Sequence, residues 1–155
     1  RDGDVVDLNG VAPLTIPAPS ASYYVAVRHR NHLGVMSAAP IALSANTTSV
    51  DFRNASQTTF GTEARRVEGS RMVLWCGDVT FDTEVKYTGA DNDRDPILTA
   101  IGGSLPTNTL TGQYRQEDLN LDGEVKYTGA NNDRDRILLT IGGSVPTAVR
   151  IEQVP

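Results

Sequence analysis

Asp118, Asn120 and Asp122 occupy alternate positions of the segment DLNLDGEV, Gly123 follows at the sixth position, and Glu124 stands at the seventh. A hard cation such as calcium takes roughly six to eight oxygen ligands from a loop that converges on one point. Alternate side-chain oxygens, a glycine at the sharp turn and a backbone carbonyl from the seventh residue meet that need. Val125 at the eighth position has the size to enter the core and pin the loop. A loop of about twelve residues would close at the position held here by Gly129. The loop is therefore longer, and Asp133 is the expected closing carboxylate, with Asp135 reading as a helix cap; the reverse assignment, Asp135 and Asp95 as ligands, is the alternative.

The same unit stands forty residues earlier as DVTFDTEV, and the cores EVKYTGANNDRD and EVKYTGADNDRD differ only at Asn131 against Asp91. In this first copy (78–103) the equivalent oxygens are those of Asp78, Thr80, Asp82 and Glu84, closed by Asp93. Thr80 replaces the Asn and Thr83 the Gly. A β-branched residue resists positive φ, so the first site is expected to be weaker or less regular than the second (118–143). Two calcium sites are the expectation. Asp95-Pro96 reads as an N-cap followed by proline in the first turn. Ile97, Leu98 and Ile101, and again Ile137, Leu138 and Ile141, recur at helical spacing, and Gly102-Gly103 and Gly142-Gly143 stop both helices.

These repeats resemble the duplicated calcium-loop-plus-helix of type I dockerins, with DLNLDGEV similar to their D-x-N-x-D-G-x-V start. The resemblance implies two calcium ions, with Asp118, Asn120, Asp122 and the Glu124 carbonyl as ligands, and Asp78, Thr80, Asp82 and Glu84 in the first copy. It also implies a non-catalytic module that docks onto a partner. The YTGANNDRD and YTGADNDRD insertions depart from the family pattern. The whole chain, with YYVAVRHRNHLGVM ahead of GDV, is similar to the C-terminal parts of large secreted surface proteins of Bacteroidota-type bacteria, which implies an extracellular or cell-surface location.

Upstream, residues 1–75 read as β. Ser22 to His29 alternates, with Tyr23, Val25 and Val27 on one face; Asn31 to Gly34 reads as its turn and Val35-Met36 as the start of a return strand. Shorter strands are expected around Val5–Leu8, Leu14–Ile16, Ile41–Ser44, Ser49–Arg53 and Met72–Trp75. The expected architecture is mostly β. A small antiparallel, partial Ig-like sandwich over 1–75 is followed by the dockerin-like module over 76–148, and a terminal strand or tail over 149–155. The loop between the repeats is expected to run from Ser104 to Gly112.

Cys76 is the single cysteine, so no disulfide closes within the chain and metal is the expected staple for so small a module. The formal charge of −5 and the isolated Arg28-His29-Arg30 cluster give no basic nucleic-acid surface. No apolar run is long enough for a transmembrane segment, and no signal peptide stands out. The chain starts without Met inside a patterned segment, which reads as a processed product or a piece of something longer. No nucleophile elbow accompanies the serines, and no enzyme is expected. His29 and His32 read as turn-side histidines bonded to backbone groups: an i,i+3 pair at a strand end does not converge as it would on a helix, and no third zinc ligand is identifiable. Tyr87 and Tyr127, at matched positions, read as packing beside their loops.

Together these features point to a calcium-stabilised structural subunit of a surface or fibrous assembly. Self-association into a homopolymer would proceed by strand addition through Asp4–Leu8 or Val149–Val154. Asn46-Thr47-Thr48 and Asn54-Ala55-Ser56 are candidate glycan attachment points. The alternatives are a dockerin-like binding module for a partner protein or glycan, and the tail of a larger secreted enzyme. An open apolar face on the two helices would mark the binding module.

Overall fold

The computed structural model describes residues 5–155. Its secondary structure is mostly small antiparallel β-sheets with two helices. Strands β1 (Ala21–Tyr23) and β4 (Ile41–Leu43) pair, as do β2 (Ala26–His29) with β3 (His32–Met36), and β5 (Arg66–Glu68) with β6 (Arg71–Val73). The two repeats supply β7 (Glu84–Lys86), α1 (Arg94–Ala100) and β8 (Thr109–Thr111), then β9 (Glu124–Lys126), α2 (Asp133–Ile141) and β10 (Val149–Ile151).

Pairing among the described residues stops at two strands per sheet. Upstream of the repeats the expected two-layer sandwich is therefore met only as separate ribbons. The reason lies in strand length and exposure. The alternating run SYYVAVRH divides between β1 and β2, which take different partners, and each strand is only three or four residues long. Residues 49–53 form no strand, and Val5, Leu8, Val11, Leu14 and Ile16 lie exposed. The N-terminal stretch makes one bridge, Val6 with Pro13. Asp4, the start of the expected donor segment, lies outside the described residues.

The repeats exchange strands. β8, which follows α1, pairs with β9 of the second copy (Leu110 opposite Val125), and β10, which follows α2, pairs back with β7 of the first (Arg150 opposite Val85). Thus β8 lies within the segment expected to be a plain loop. The exchange is repeated in side chains: Thr88 donates its hydroxyl to the Pro146 carbonyl, and Thr128 to that of Pro106. Each copy is completed by a strand from beyond the other's helix, so neither can close alone.

The main core joins the repeats to the upstream region. Val79, Val85, Ile97, Ile101, Leu119, Val125, Ile137 and Ile141 are buried together with Leu33 and Trp75 from the upstream region. Fully burying a residue of this kind contributes roughly 1.5–3 kcal/mol, so the two upstream side chains bind hairpin and repeats into a single unit. The β2–β3 hairpin is docked by backbone bonds, Leu33 N–H to Trp75 and Gly77 N–H to Asn31. Glu152, just after β10, accepts the Gly34 N–H and pairs with Arg28 at 2.6 Å.

Candidate metal centre

Each loop is curled around its first aspartate. Asp118 accepts the Asp122 N–H on Oδ1 at 3.2 Å and the Gly123 N–H on Oδ2 at 3.1 Å. Asp78 does the same with Asp82 (3.1 Å) and Thr83 (3.3 Å). Asp122 and Asp82 then accept the N–H of Glu124 and Glu84 respectively. Asn120 Oδ1 takes the Asp122 N–H at 2.8 Å while its amide nitrogen reaches the Asn131 carbonyl. Glu124 and Glu84 turn their carboxylates away from the loop, onto Lys126 and Lys86.

The fifteen-residue step from first to last carboxylate is bridged by the backbone. Asp133 accepts N–H groups from Leu119 (2.7 Å) and Asn120 (3.3 Å) on one oxygen and from Lys126 (2.8 Å) on the other. Asp93 repeats the arrangement with Val79, Thr80 and Lys86 and also takes the Thr80 hydroxyl at 3.1 Å. Asp93 and Asp133 are 0% exposed, and each ties the start of its loop to the strand that follows. Asp95 and Asp135 lie further out and meet Asn92, Asn132, Arg94 and Arg134.

The helix starts differ from expectation. The capping acceptors are Asn92 and Asn132, which take the N–H of Asp95 and Asp135 at 3.0 and 2.9 Å. Asp95 and Asp135 therefore lie inside the first turn rather than at the cap. An asparagine amide can cap and, through its nitrogen, also hold Gly89 or Gly129, which an aspartate carboxylate cannot do.

Burial raises Asp93 and Asp133 to about 6, against the backbone N–H bonds that favour the charged form, and the Asp118 charge adds to the effect on Asp133. Asp78 is also pushed up, first by burial and further by the charge of Asp82. Among the described residues Asp78, Asp93 and Asp133 have no lysine or arginine in ion-pair range; Asp118 has Arg30 at 3.6 Å. Asp78 and Asp133 thus sit beside other acids, and neither they nor the buried Asp93 have a basic side chain in ion-pair range to neutralise them. A divalent cation would supply that charge. The donor set of carboxylates, one amide, one hydroxyl and loop carbonyls is oxygen throughout, which suits calcium. Among the described residues no three His, Cys, Asp or Glu side chains form a ready metal-holding group. The oxygen set therefore depends on Asn120, Thr80 and main-chain carbonyls as well as the acids.

The backbone is the same in both loops. Phe81 and Leu121 have φ of 59° and 61°, Asp91 and Asn131 54° and 56°, and Thr83 adopts 73° where Gly123 adopts 90°. The turn does demand positive φ, and Thr83 bears it.

Sequence reasoning missed the upstream contacts. Asn31, fully buried at the β2–β3 turn, donates to the carbonyls of Gln116 and Asp118, and Arg30 donates to Arg115 and stacks over Tyr114 at 3.8 Å. The turn itself is Arg30-Asn31, so the return strand starts at His32, inside the segment Asn31–Gly34 expected to be the turn. His29 and His32 face each other across it, with Nδ1 atoms 2.9 Å apart, so the expectation that they do not converge is overturned by the strand pairing that places them opposite one another. Asp51 pairs with Arg53 instead. Burial pushes the Cys76 thiol up to about 12, and its Sγ rests 3.4 Å from the Leu119 carbonyl, the setting of an unreactive thiol. Tyr87 and Tyr127 pack against the core with Arg94 and Arg134 over their rings.

Among the described residues no helix is long and apolar enough to cross a membrane. No protein-family model, curated protein or solved structure matches the chain.

Proposed function

We propose that this chain is a non-catalytic extracellular structural subunit, stapled by two calcium ions and joined to further copies by strand addition. The observation that carries the reading is how the apolar side chains are divided. Ile97, Ile101, Ile137 and Ile141, the face a docking module would leave open, are all within 6% of complete burial. By contrast Leu8 and Val11 are 105% and 84% exposed on a stretch that contributes no strand to any sheet. A segment of this kind gains most by adding to an edge, and every two-stranded ribbon in the molecule has edges to offer.

In this reading the repeats are a dockerin-like calcium module in form, put to structural use. Asp118, Asn120, Asp122, the Glu124 carbonyl and Asp133 would hold one ion, and Asp78, Thr80, Asp82, the Glu84 carbonyl and Asp93 the other. The ions would neutralise the buried acids and lock each loop to its helix, so that binding free energy becomes folding free energy. The upstream ribbons stand where a partial sandwich would be completed by a neighbour's strand. Exposed Asn46 and Asn54 are the proposed glycan attachment points.

Size-exclusion chromatography with light scattering tests this on the chain in calcium and in chelator. The expected result is a concentration-dependent series of multimers in calcium that disperses when Leu8, Val11 and Ile16 are replaced by glutamate. A monomer at every concentration, with calcium present and residues 1–20 intact, would overturn it.

A further inference from the structure

We infer that the tip of the β2–β3 hairpin is a second kind of cation site, for a late first-row divalent ion such as copper(II) or nickel(II), held by His29 Nδ1, His32 Nδ1 and Asn31 Oδ1. The three atoms form a nearly equilateral triangle: 2.9 Å between the two nitrogens, 3.0 Å from His29 to the Asn31 oxygen and 2.8 Å from His32 to it. The oxygen end of Asn31 is fixed there because its amide nitrogen is committed to the Gln116 and Asp118 carbonyls.

Protons alone satisfy this triangle poorly. If both rings donate to the one oxygen, two N–H groups crowd together with no proton along the line between the nitrogens. If one ring donates to the other, the acceptor nitrogen turns a lone pair toward the Asn31 oxygen. A single cation engages all three lone pairs at once. At a metal–nitrogen distance of about 2.0–2.1 Å, nitrogens 2.9 Å apart subtend about 90°. That is the cis angle of tetragonal or octahedral coordination rather than the wider tetrahedral one, and with imidazole donors it favours copper(II) or nickel(II) over zinc.

The flanking arginines are already paired, Arg28 with Glu152 at 2.6 Å and Arg30 with Asp118 at 3.6 Å. Beside the rings is a cavity of about 10 Å³, room for about one water, that His29, His32, Asp78 and Glu152 help to line. The frame is stiff: His29 lies opposite His32 in the hairpin, and His32 is bridged on its other side to Cys76. Its nitrogen donors separate this site chemically from the calcium loops, although Asp78 lines the same cavity and Asp118 pairs with Arg30.

The test is a titration of the untagged, calcium-saturated chain with copper(II) chloride, followed by electron paramagnetic resonance. One ion per chain should bind at micromolar or lower dissociation constant, with hyperfine structure from two nitrogens. The double variant His29→Gln/His32→Gln should lose that step by a hundredfold or more while its calcium-dependent melting is retained. An unchanged spectrum and stoichiometry in the double variant would overturn the inference, as would wild-type affinity weaker than about 100 μM. Should the double variant fail to fold, copper-induced broadening of assigned NMR signals in the wild-type chain decides. Broadening centred on His29, Asn31 and His32 supports the site, and broadening centred elsewhere refutes it.

Discussion

The two acidic loops share one backbone and differ in chemistry, and the difference separates what shapes a loop from what equips it. In both, the first aspartate gathers the N–H groups of the fifth and sixth residues, and the last gathers three from the loop start and the following strand. The shape therefore follows from Asp78 with Asp93 and from Asp118 with Asp133, and it survives the loss of the glycine. What the first loop lacks is oxygen and ease. Thr80 spends its hydroxyl as a donor to Asp93, whereas Asn120 offers a carbonyl oxygen. Thr83 holds φ of 73° with a branched side chain, where Gly123 holds 90° without one.

The largest expected effect would break the comparison if it were unequal. Replacing Asp93 or Asp133 by alanine strands one buried and two part-buried N–H groups, and each variant should lose about 3 kcal/mol, measured by urea unfolding in calcium. A loss confined to one copy would show that the shared backbone has different causes in the two loops.

Next in size is the response to pH without calcium. Asp93 and Asp133 hold their protons more tightly folded, at about 6, than the ordinary carboxylate value of 3.8. Between about pH 4 and 6 the native state therefore binds more protons than the unfolded one, and stability falls as pH rises through that window. Saturating calcium should reverse the slope, because the ion binds the charged form. Melting curves from pH 4 to 7 in chelator and in calcium check both signs.

Calcium affinity sharpens the comparison. Isothermal titration should resolve two steps about tenfold apart, a difference of about 1.4 kcal/mol. Asp118→Ala should remove the tighter step and Asp78→Ala the weaker. The smallest effect is conformational. Thr83→Gly relieves a left-handed β-branched residue and should stabilise by about 1 kcal/mol, while Gly123→Thr should lose a similar amount. Both are read as shifts in the urea midpoint. No gain from Thr83→Gly would mean that contacts of the threonine side chain outweigh its backbone strain.

The repeats were legible because their signals are local. The alternate acids, the apolar helix faces and the glycine stops lie within a few residues of what they shape, and Thr83 could be recognised as ill-suited to its turn before its φ was known. The strand exchange was not legible. The alternation from Val149 marks β10 as a strand, whereas β8, the three-residue TLT, is too short to show a period, and nothing in either says that it pairs with the other copy's partner strand. The helix caps were misassigned because Asp-Pro is a familiar start signal, while the preceding Asn92 and Asn132 do the capping through contacts spanning three residues. The mostly β character was legible and the layering was not: alternation reports which face a strand would bury, not which strand it pairs with, and Val5, Leu8, Val11, Leu14 and Ile16 stay exposed. The convergence of His29 and His32 required the two-residue turn Arg30-Asn31, where a longer one over Asn31–Gly34 is the sequence expectation.

The most direct test of the central claim is the melting temperature of the chain at pH 7 as calcium is added to a fully chelated sample. The account predicts a rise of many degrees that saturates near two ions per chain and is lost when Asp78 and Asp118 are both replaced by alanine. A melting temperature that stays the same from chelator to saturating calcium would contradict it.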